Sequence, residues 1–283
     1  MEKDFLKLES DAKSVIKNVW DEVSSLSDAN RIIPYTDIFT CIDNTTLNGS
    51  DSPKTVSEFC RNTSLLSVPS NGIRQHVASV CIYPSFVGIA KKQLASTTIR
   101  VASVAGGFPA GQTSQHVKTE EIRYVVEEGA DEVDFVINRG RFLDGDLQYL
   151  SDEIEAAKSV CGNSVKLKVI IETGELKTMA NIYNASMLAL RAGADFIKTS
   201  TGKIPLGATP EGAFAMLSAL CDFMKNSKKT VGFKAAGGIS TPEEALFYYL
   251  LYKKIISVQN ITNQNFRIGT SRLTAQLQNI LTF

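Results

Sequence analysis

The sequence predicts a (β/α)8 barrel, the TIM-barrel architecture of the α/β class, with an extra helix at its N-terminus. Eight short apolar runs alternate with stretches of helical periodicity, the order that builds a parallel sheet with helices outside it. Runs such as Val169-Ile170-Ile171 are apolar without a break, which suits strands covered on both faces. There is also an internal echo. Glu128-Gly129-Ala130-Asp131 precedes one strand and Ala192-Gly193-Ala194-Asp195 another, two βα units of about thirty residues further on. Each glycine there is expected to end a helix in the left-handed conformation. A doubly wound open sheet is the rival, but no G-x-G-x-x-G follows the first strand.

Residues 1–30 read as an amphipathic helix outside the repeat, because Val15, Ile16, Val19, Trp20 and Val23 recur at helical spacing. The strands are expected at Ile38–Asp43, Val77–Tyr83, Ile99–Val104, Glu132–Ile137, Val165–Ile171, Asp195–Thr199, Val231–Lys234 and Phe266–Gly269. Helical segments lie between them, carrying patterns such as Ile122, Val125, Val126 or Ile154, Ala157, Lys158, Cys161. Ser52-Pro53, Thr209-Pro210 and Thr241-Pro242 put proline in a first helical turn, where its missing N–H has no partner to lose. No linker rich in Gly, Ser or Pro interrupts residues 31–283, which are read as a single barrel domain.

Composition narrows the partners. The chain has 283 residues, 43% of them hydrophobic, with 30 basic and 30 acidic side chains. Zero net charge supplies no field to hold nucleic acid or an anionic membrane surface. No apolar run approaches the ~18–20 residues that cross a bilayer. Acids at Glu2 and Asp4 argue against a secretory leader. Five cysteines without a CxxC pair suggest a reduced, cytoplasmic chain. Two histidines, His76 and His116, argue against a histidine-rich metal site. Trp20 and its apolar neighbours are expected to cover either the barrel's bottom or a homodimer interface.

In such a barrel, function sits where strands end. The ionisable residues there are Asp43, Asp134, Glu172, Lys198 and Lys234. Either lysine by itself could snorkel to water. As a pair on adjacent strands they are more informative, because neighbouring parallel strands are only ~4.8 Å apart. A lysine with a pKa near ~10.4 is neutral in about one molecule in 2,500 at pH 7. A second cation at about 6 Å, with effective dielectric ~20, lowers that pKa by roughly two units. A neutral amine attacks a carbonyl to give a Schiff base, so the pair points to carbonyl chemistry. Asp134 is the carboxylate that could move the protons, with a structural ion pair as its other reading.

Glycine-bearing segments follow the last three strands: Thr199-Ser200-Thr201-Gly202-Lys203, Ala236-Gly237-Gly238-Ile239-Ser240, and Phe266-Arg267-Ile268-Gly269-Thr270-Ser271. Glycine lets backbone amides approach an anion closely, and phosphate sites in these barrels often use the loops after strands seven and eight. Turns need glycine anyway. Their coincidence with the two lysines points to a phosphorylated carbonyl substrate, with the loops of Gly202, Gly237, Gly238 and Gly269 as the candidate phosphate site.

Together with Asp43-Asn44-Thr45-Thr46-Leu47, Val101-Ala102-Ser103-Val104-Ala105-Gly106-Gly107-Phe108-Pro109 and Gly129-Ala130-Asp131-Glu132-Val133-Asp134, these motifs make the chain resemble the 2-deoxy-D-ribose-5-phosphate aldolase family of class I aldolases, from Phe39 to Leu273. The resemblance implies reversible cleavage of 2-deoxy-D-ribose 5-phosphate to D-glyceraldehyde 3-phosphate and acetaldehyde, in deoxyribonucleotide catabolism, with no metal or organic cofactor. It implies Lys198 as the Schiff-base nucleophile, Lys234 as the group lowering its pKa, and Asp134 as a proton relay through water. Gly202, Lys203, Gly237, Gly238 and Ser271 would hold the phosphate. Asp43, Thr45 and Leu47 would line the pocket with Cys81 at its edge, although Cys81 also reads as a small buried apolar residue. Ala235 stands where the family usually has proline, so the seventh loop is expected to be less rigid. Arg272 stands where Ser or Thr is usual, facing either phosphate or solvent. No tyrosine follows Tyr252, so the tail-assisted proton step of some members is not expected. The alternatives are a class I aldolase for another sugar phosphate, or a sugar-phosphate-binding barrel without catalysis.

Overall fold

The alternation of apolar runs and helices resolves, in the computed structural model, into a closed barrel of eight parallel strands. The structure describes all residues except 1, 2, 71, 228, 259 and 283. The barrel strands are β1 (Ile42–Thr45), β2 (Ser79–Ile82), β3 (Arg100–Ala105), β4 (Glu132–Val136), β5 (Lys166–Ile170), β6 (Phe196–Lys198), β7 (Gly232–Ala236) and β8 (Phe266–Thr270). Each pairs with the next, and β8 closes on β1 with Ile42 opposite Ile268. The predicted (β/α)8 barrel is therefore the observed one. Among the described residues no helix is long and apolar enough to cross a membrane.

Local chemistry explains where the outer helices begin. Ser52, Ser114, Asp146, Thr178, Thr209 and Thr241 each accept a hydrogen bond from the backbone N–H three residues on, satisfying a donor that the helix cannot. Pro53, Pro210 and Pro242 occupy first turns as expected. Gly129 and Gly193, the echoed glycines, have φ of 96° and 101°.

The N-terminal region departs from the sequence reading in three ways. Two helices precede the barrel, Phe5–Ser25 and Asp28–Thr40, and the second runs across residue 30. Ile38–Thr40, expected to open the first strand, instead finish that second helix, and β1 starts at Ile42. Tyr35, Ile38 and Phe39 are buried together at helical spacing, and so short an apolar run has no periodicity of its own to separate strand from helix. The first helix lies along the outer helices Met179–Arg191, Pro210–Asn226 and Pro242–Ile256, on the barrel's flank rather than its bottom. Trp20 stacks on Phe247 with ring centroids 4.5 Å apart, so it packs on the outer helices of its own barrel. A short antiparallel ladder, Val68–Ser70 with Ile73–Gln75, precedes β2 and is absent from the sequence reading.

The apolar core lies between strands and helices, where Val80, Val133, Phe135, Val169, Ile197, Phe233 and Ile268 are all buried. Strand alternation sends the intervening residues the other way. That second set fills the barrel's interior, and much of it is charged.

Candidate active site

Seven ionisable side chains meet inside the barrel: Asp43 from β1, Glu132 and Asp134 from β4, Lys168 from β5, Lys198 from β6, Lys234 from β7 and Arg267 from β8. Register aligns them, because Asp134 is the cross-strand partner of Lys168, and Lys234 is the partner of both Lys198 and Arg267. Asp134 is the hub. Its Oδ2 accepts from Lys198 Nζ and from Lys234 Nζ, each at 2.7 Å, and its Oδ1 accepts from Lys168 Nζ at 2.7 Å. The two lysines that share Oδ2 are thus no more than about 5.4 Å apart, slightly closer than the sequence argument assumes. Lys168 also meets Glu132 at 2.6 Å and Asp43 at 3.3 Å. Lys234 donates to Asp43, and Arg267 joins Asp43 to Glu132.

Three buried carboxylates therefore face four basic side chains. A buried charge without a counter-charge is expensive, so the cluster is balanced when one base is neutral. Lys198, the one of the four whose pKa is lowered, is the base best placed to give up its proton. Burial lowers its pKa first; Asp134 pulls it back up, and Lys234 pushes it down again. The sequence argument credits Lys234 with the shift, whereas desolvation is the larger cause and Lys234 assists. Lys234 itself goes the other way: burial would lower it, but Asp134 and Asp43 raise it above the ordinary lysine value. Lys168 is likewise raised, as Asp134, Asp43 and Glu132 outweigh burial. Asp134 stays well below the usual carboxylate range, with Lys168, Lys198 and Lys234 overcoming the opposing effect of burial.

Above this cluster, at the C-terminal ends of the strands, opens a cavity of about 480 Å3 with Lys198 on its floor. Thr45, Leu47, Gly202, Lys203, Gly237, Gly238, Gly269, Ser271 and Arg272 all line it. Asp43, Asp134, Lys234 and Cys81 lie beneath, fully buried. Cys81 packs with Leu47, Ala102 and Val104, and burial followed by the Asp134 charge pushes its thiol up, the behaviour of a small apolar residue. Arg272 is exposed at the rim.

The glycines make the cavity's wall. Gly202, Gly237 and Gly238 have φ of 74°, 90° and 87°, a region closed to most other residues. A Cβ on Gly207 would lie 2.3 Å from the carbonyl oxygen of Gly237, and Ala208 N donates to that same oxygen at 3.0 Å. The loops after β6 and β7 interlock there, a role for Gly207 that the sequence reading misses. The Thr199 hydroxyl both donates to Ala236 O and accepts from Ala236 N, each at 2.9 Å. These bonds pin β7 beside Ala235, where a less rigid loop is expected. Across the mouth, Lys203 Nζ donates to Leu47 O.

Lys168, Glu132 and Arg267 are the ionisable residues that sequence reasoning does not single out. Lys168 and Arg267 sit within strands and Glu132 opens one, all short of the C-terminal ends, and the available signal for the first two is a charge inside an apolar run, as in Leu167-Lys168-Val169 and Phe266-Arg267-Ile268. An amine whose pKa is lowered, at the base of a cavity and over a carboxylate and a second lysine whose pKa is raised, is equipped to attack a carbonyl and to move protons afterwards.

Comparison with known proteins agrees with that chemistry. Residues 38–262 match the family described as DeoC/LacD family aldolase. The chain is similar to a deoxyribose-phosphate aldolase of Homo sapiens, 42% identical over 250 residues, covering 84% of this chain and 78% of that one. The Mus musculus counterpart is 43% identical over the same coverage. A solved deoxyribose phosphate aldolase from Aeropyrum pernix, described as a unique tetramer, shares the fold with a TM-score of 0.68 at 24% identity, over 94% of this chain and 96% of that one.

Proposed function

For a chain that belongs to the DeoC/LacD family of aldolases, we propose reversible cleavage of 2-deoxy-D-ribose 5-phosphate into D-glyceraldehyde 3-phosphate and acetaldehyde, in the cytosol. The observation that carries it is Lys198: of the four bases clustered inside the barrel it alone lines the cavity, and it shares one carboxylate oxygen with Lys234, whose pKa is raised.

The geometry suits an imine mechanism. The lone pair of Lys198 Nζ forms a bond to the C1 aldehyde carbon, and the carbonyl oxygen, gaining two protons, leaves as water. The resulting iminium restores a fourth positive charge, for which Asp134 is already 2.7 Å away; a counter-charge fixed in advance stabilises the charge as it develops. Loss of the C3 hydroxyl proton then breaks the C2–C3 bond. Glyceraldehyde 3-phosphate departs, and the electron pair enters an enamine that neutralises the iminium. Asp134 and Lys234, acting through water, return a proton to C2, and hydrolysis frees acetaldehyde and Lys198. The phosphate would rest on Gly202, Gly237, Gly238 and Ser271, with Lys203 supplying a full charge.

Borohydride trapping with 2-deoxy-D-ribose 5-phosphate, followed by peptide mapping, tests this. A substrate-dependent reduced adduct on Lys198 is expected. An adduct on Lys234 instead would reverse the two lysine roles, and folded protein that binds the sugar phosphate yet gives no adduct would overturn the imine mechanism.

A further inference from the structure

Glu172, two residues past β5, takes no part in that chemistry, yet it is wholly buried and holds a left-handed backbone with φ 57° and ψ 68°. Its carboxylate accepts the backbone N–H of Thr201 at 3.1 and 3.3 Å and also the Thr201 hydroxyl. The Thr201 Oγ1 in turn accepts the N–H of Lys203 at 3.1 Å. Among the described residues Glu172 forms no ion pair, so its partners are all in the loop that carries Gly202 and Lys203.

The position of this carboxylate follows from the strand pairing. Between β5 and the chain after β6 the backbone ladder continues through Ile171 N to Lys198 O at 3.1 Å and Thr173 N to Thr199 O at 2.9 Å. There it stops, and the Glu172 side chain becomes the acceptor for the next amide, Thr201. Thr173 adds a hydroxyl contact to Ser200 Oγ at 3.4 Å. The side chain therefore carries the register of β5 onward into the turn that begins three residues after Lys198.

We propose that Glu172 is a positioning residue for substrate phosphate: it fixes the Thr201–Lys203 turn at a set distance from Lys198, so that only a sugar bearing its phosphate at the matching reach is held at both ends. This rests on the phosphate site proposed above. A carboxylate presents two acceptor oxygens to the amide and the hydroxyl, whereas an amide side chain in its place presents one and sets an NH2 donor beside it. A turn so loosened would weaken the grip on phosphate more than it weakens imine formation, because Lys198 is held separately by Asp134.

The test is the ratio of kcat/KM for 2-deoxy-D-ribose 5-phosphate to that for unphosphorylated 2-deoxy-D-ribose, measured in wild type and Glu172→Gln. The ratio is expected to fall at least tenfold in the variant, chiefly through KM for the phosphorylated sugar. Equal proportional losses on the two sugars, or an unchanged ratio, overturn the positioning role. A wild type without preference for the phosphorylated sugar overturns the phosphate site and this role with it. Should Glu172→Gln fail to fold, Thr201→Val removes the same link from the other side. It is expected to lower the ratio while Thr201→Ser restores it, and identical ratios in those two variants overturn the proposal.

Discussion

Replacing Lys168 with Gln separates a balanced interior from a merely crowded one. The glutamine keeps a donor for Asp134 Oδ1 but removes one positive charge, leaving three carboxylates against Lys234, Arg267 and Lys198. Balance is then restored if Lys198 keeps its proton. The size of the effect follows from geometry. Lys168 and Lys198 sit on opposite oxygens of Asp134, each at 2.7 Å, which puts the two nitrogens about 7 Å apart. At an effective dielectric of ~20, one unit charge at that distance is worth about 2.4 kcal/mol, or about 1.7 pKa units. The sign is upward: with a repelling cation gone, Lys198 deprotonates at higher pH.

The measurement is the pH profile of log kcat/KM. Its acid limb, where rate follows the fraction of free amine, is expected to move about 1.7 pH units to the alkaline side in Lys168→Gln. At any pH on that limb the loss is about fiftyfold, and most of it returns as the pH is raised. Losing a partner in a buried ionic network also costs stability, about 3–5 kcal/mol, so the profile is read well below the variant's Tm. A loss of rate that is the same at every pH, or a limb that stays in place, would refute the charge-balance account and leave Lys168 as packing.

Two further outcomes follow from contacts. Gly269→Ala would set a Cβ 3.1 Å from Lys234 Cε and 2.9 Å from Ala236 Cβ, an overpacking worth about 1–3 kcal/mol; kcat should fall tenfold or more while far-ultraviolet circular dichroism is unchanged, and a wild-type kcat would show that Gly269 does not seat Lys234. Trp20→Ala loses the stack on Phe247 and should lower stability to urea by about 1–2 kcal/mol with sedimentation unchanged, whereas a shift in sedimentation would assign Trp20 to a partner chain instead.

What the sequence makes legible depends on how far a residue's surroundings are local. Helix starts at Thr209-Pro210 and Thr241-Pro242 are readable because a cap and its helix are neighbours in the chain. Lys198 and Lys234 are readable because they stand at or near the C-terminal ends of their strands, just before glycine loops, so two separate signals coincide. Lys168 has no such companion signal. Its meaning comes from Glu132, Asp134 and Asp43, up to a hundred or more positions away, and only closure of β8 on β1 brings all of these together. Gly207 is hidden for a similar reason, since what it approaches is the carbonyl of Gly237 on the next loop. Ile38–Thr40 fail differently: so short a stretch fits helix and strand alike, and tertiary packing of the second helix's buried face decides it.

The charged interior also gives a reason for Lys198 to stand where the proposed nucleophile must. A lumen of aliphatic side chains would be stable but could not ionise, and a lumen of ion pairs is tolerable only when every charge is answered. Lys168, Lys234 and Arg267 answer Asp43, Glu132 and Asp134, which leaves Lys198 as the surplus base at the top of the stack, nearest the cavity. Being surplus, it is free to give up its proton without stranding a carboxylate. When its nitrogen becomes positive again as an iminium, Asp134 Oδ2 is already placed to receive that charge. The same imbalance that would make Lys198 the nucleophile therefore also prepares the site for the intermediate it would form, and Lys168, which never reaches the cavity, would set both.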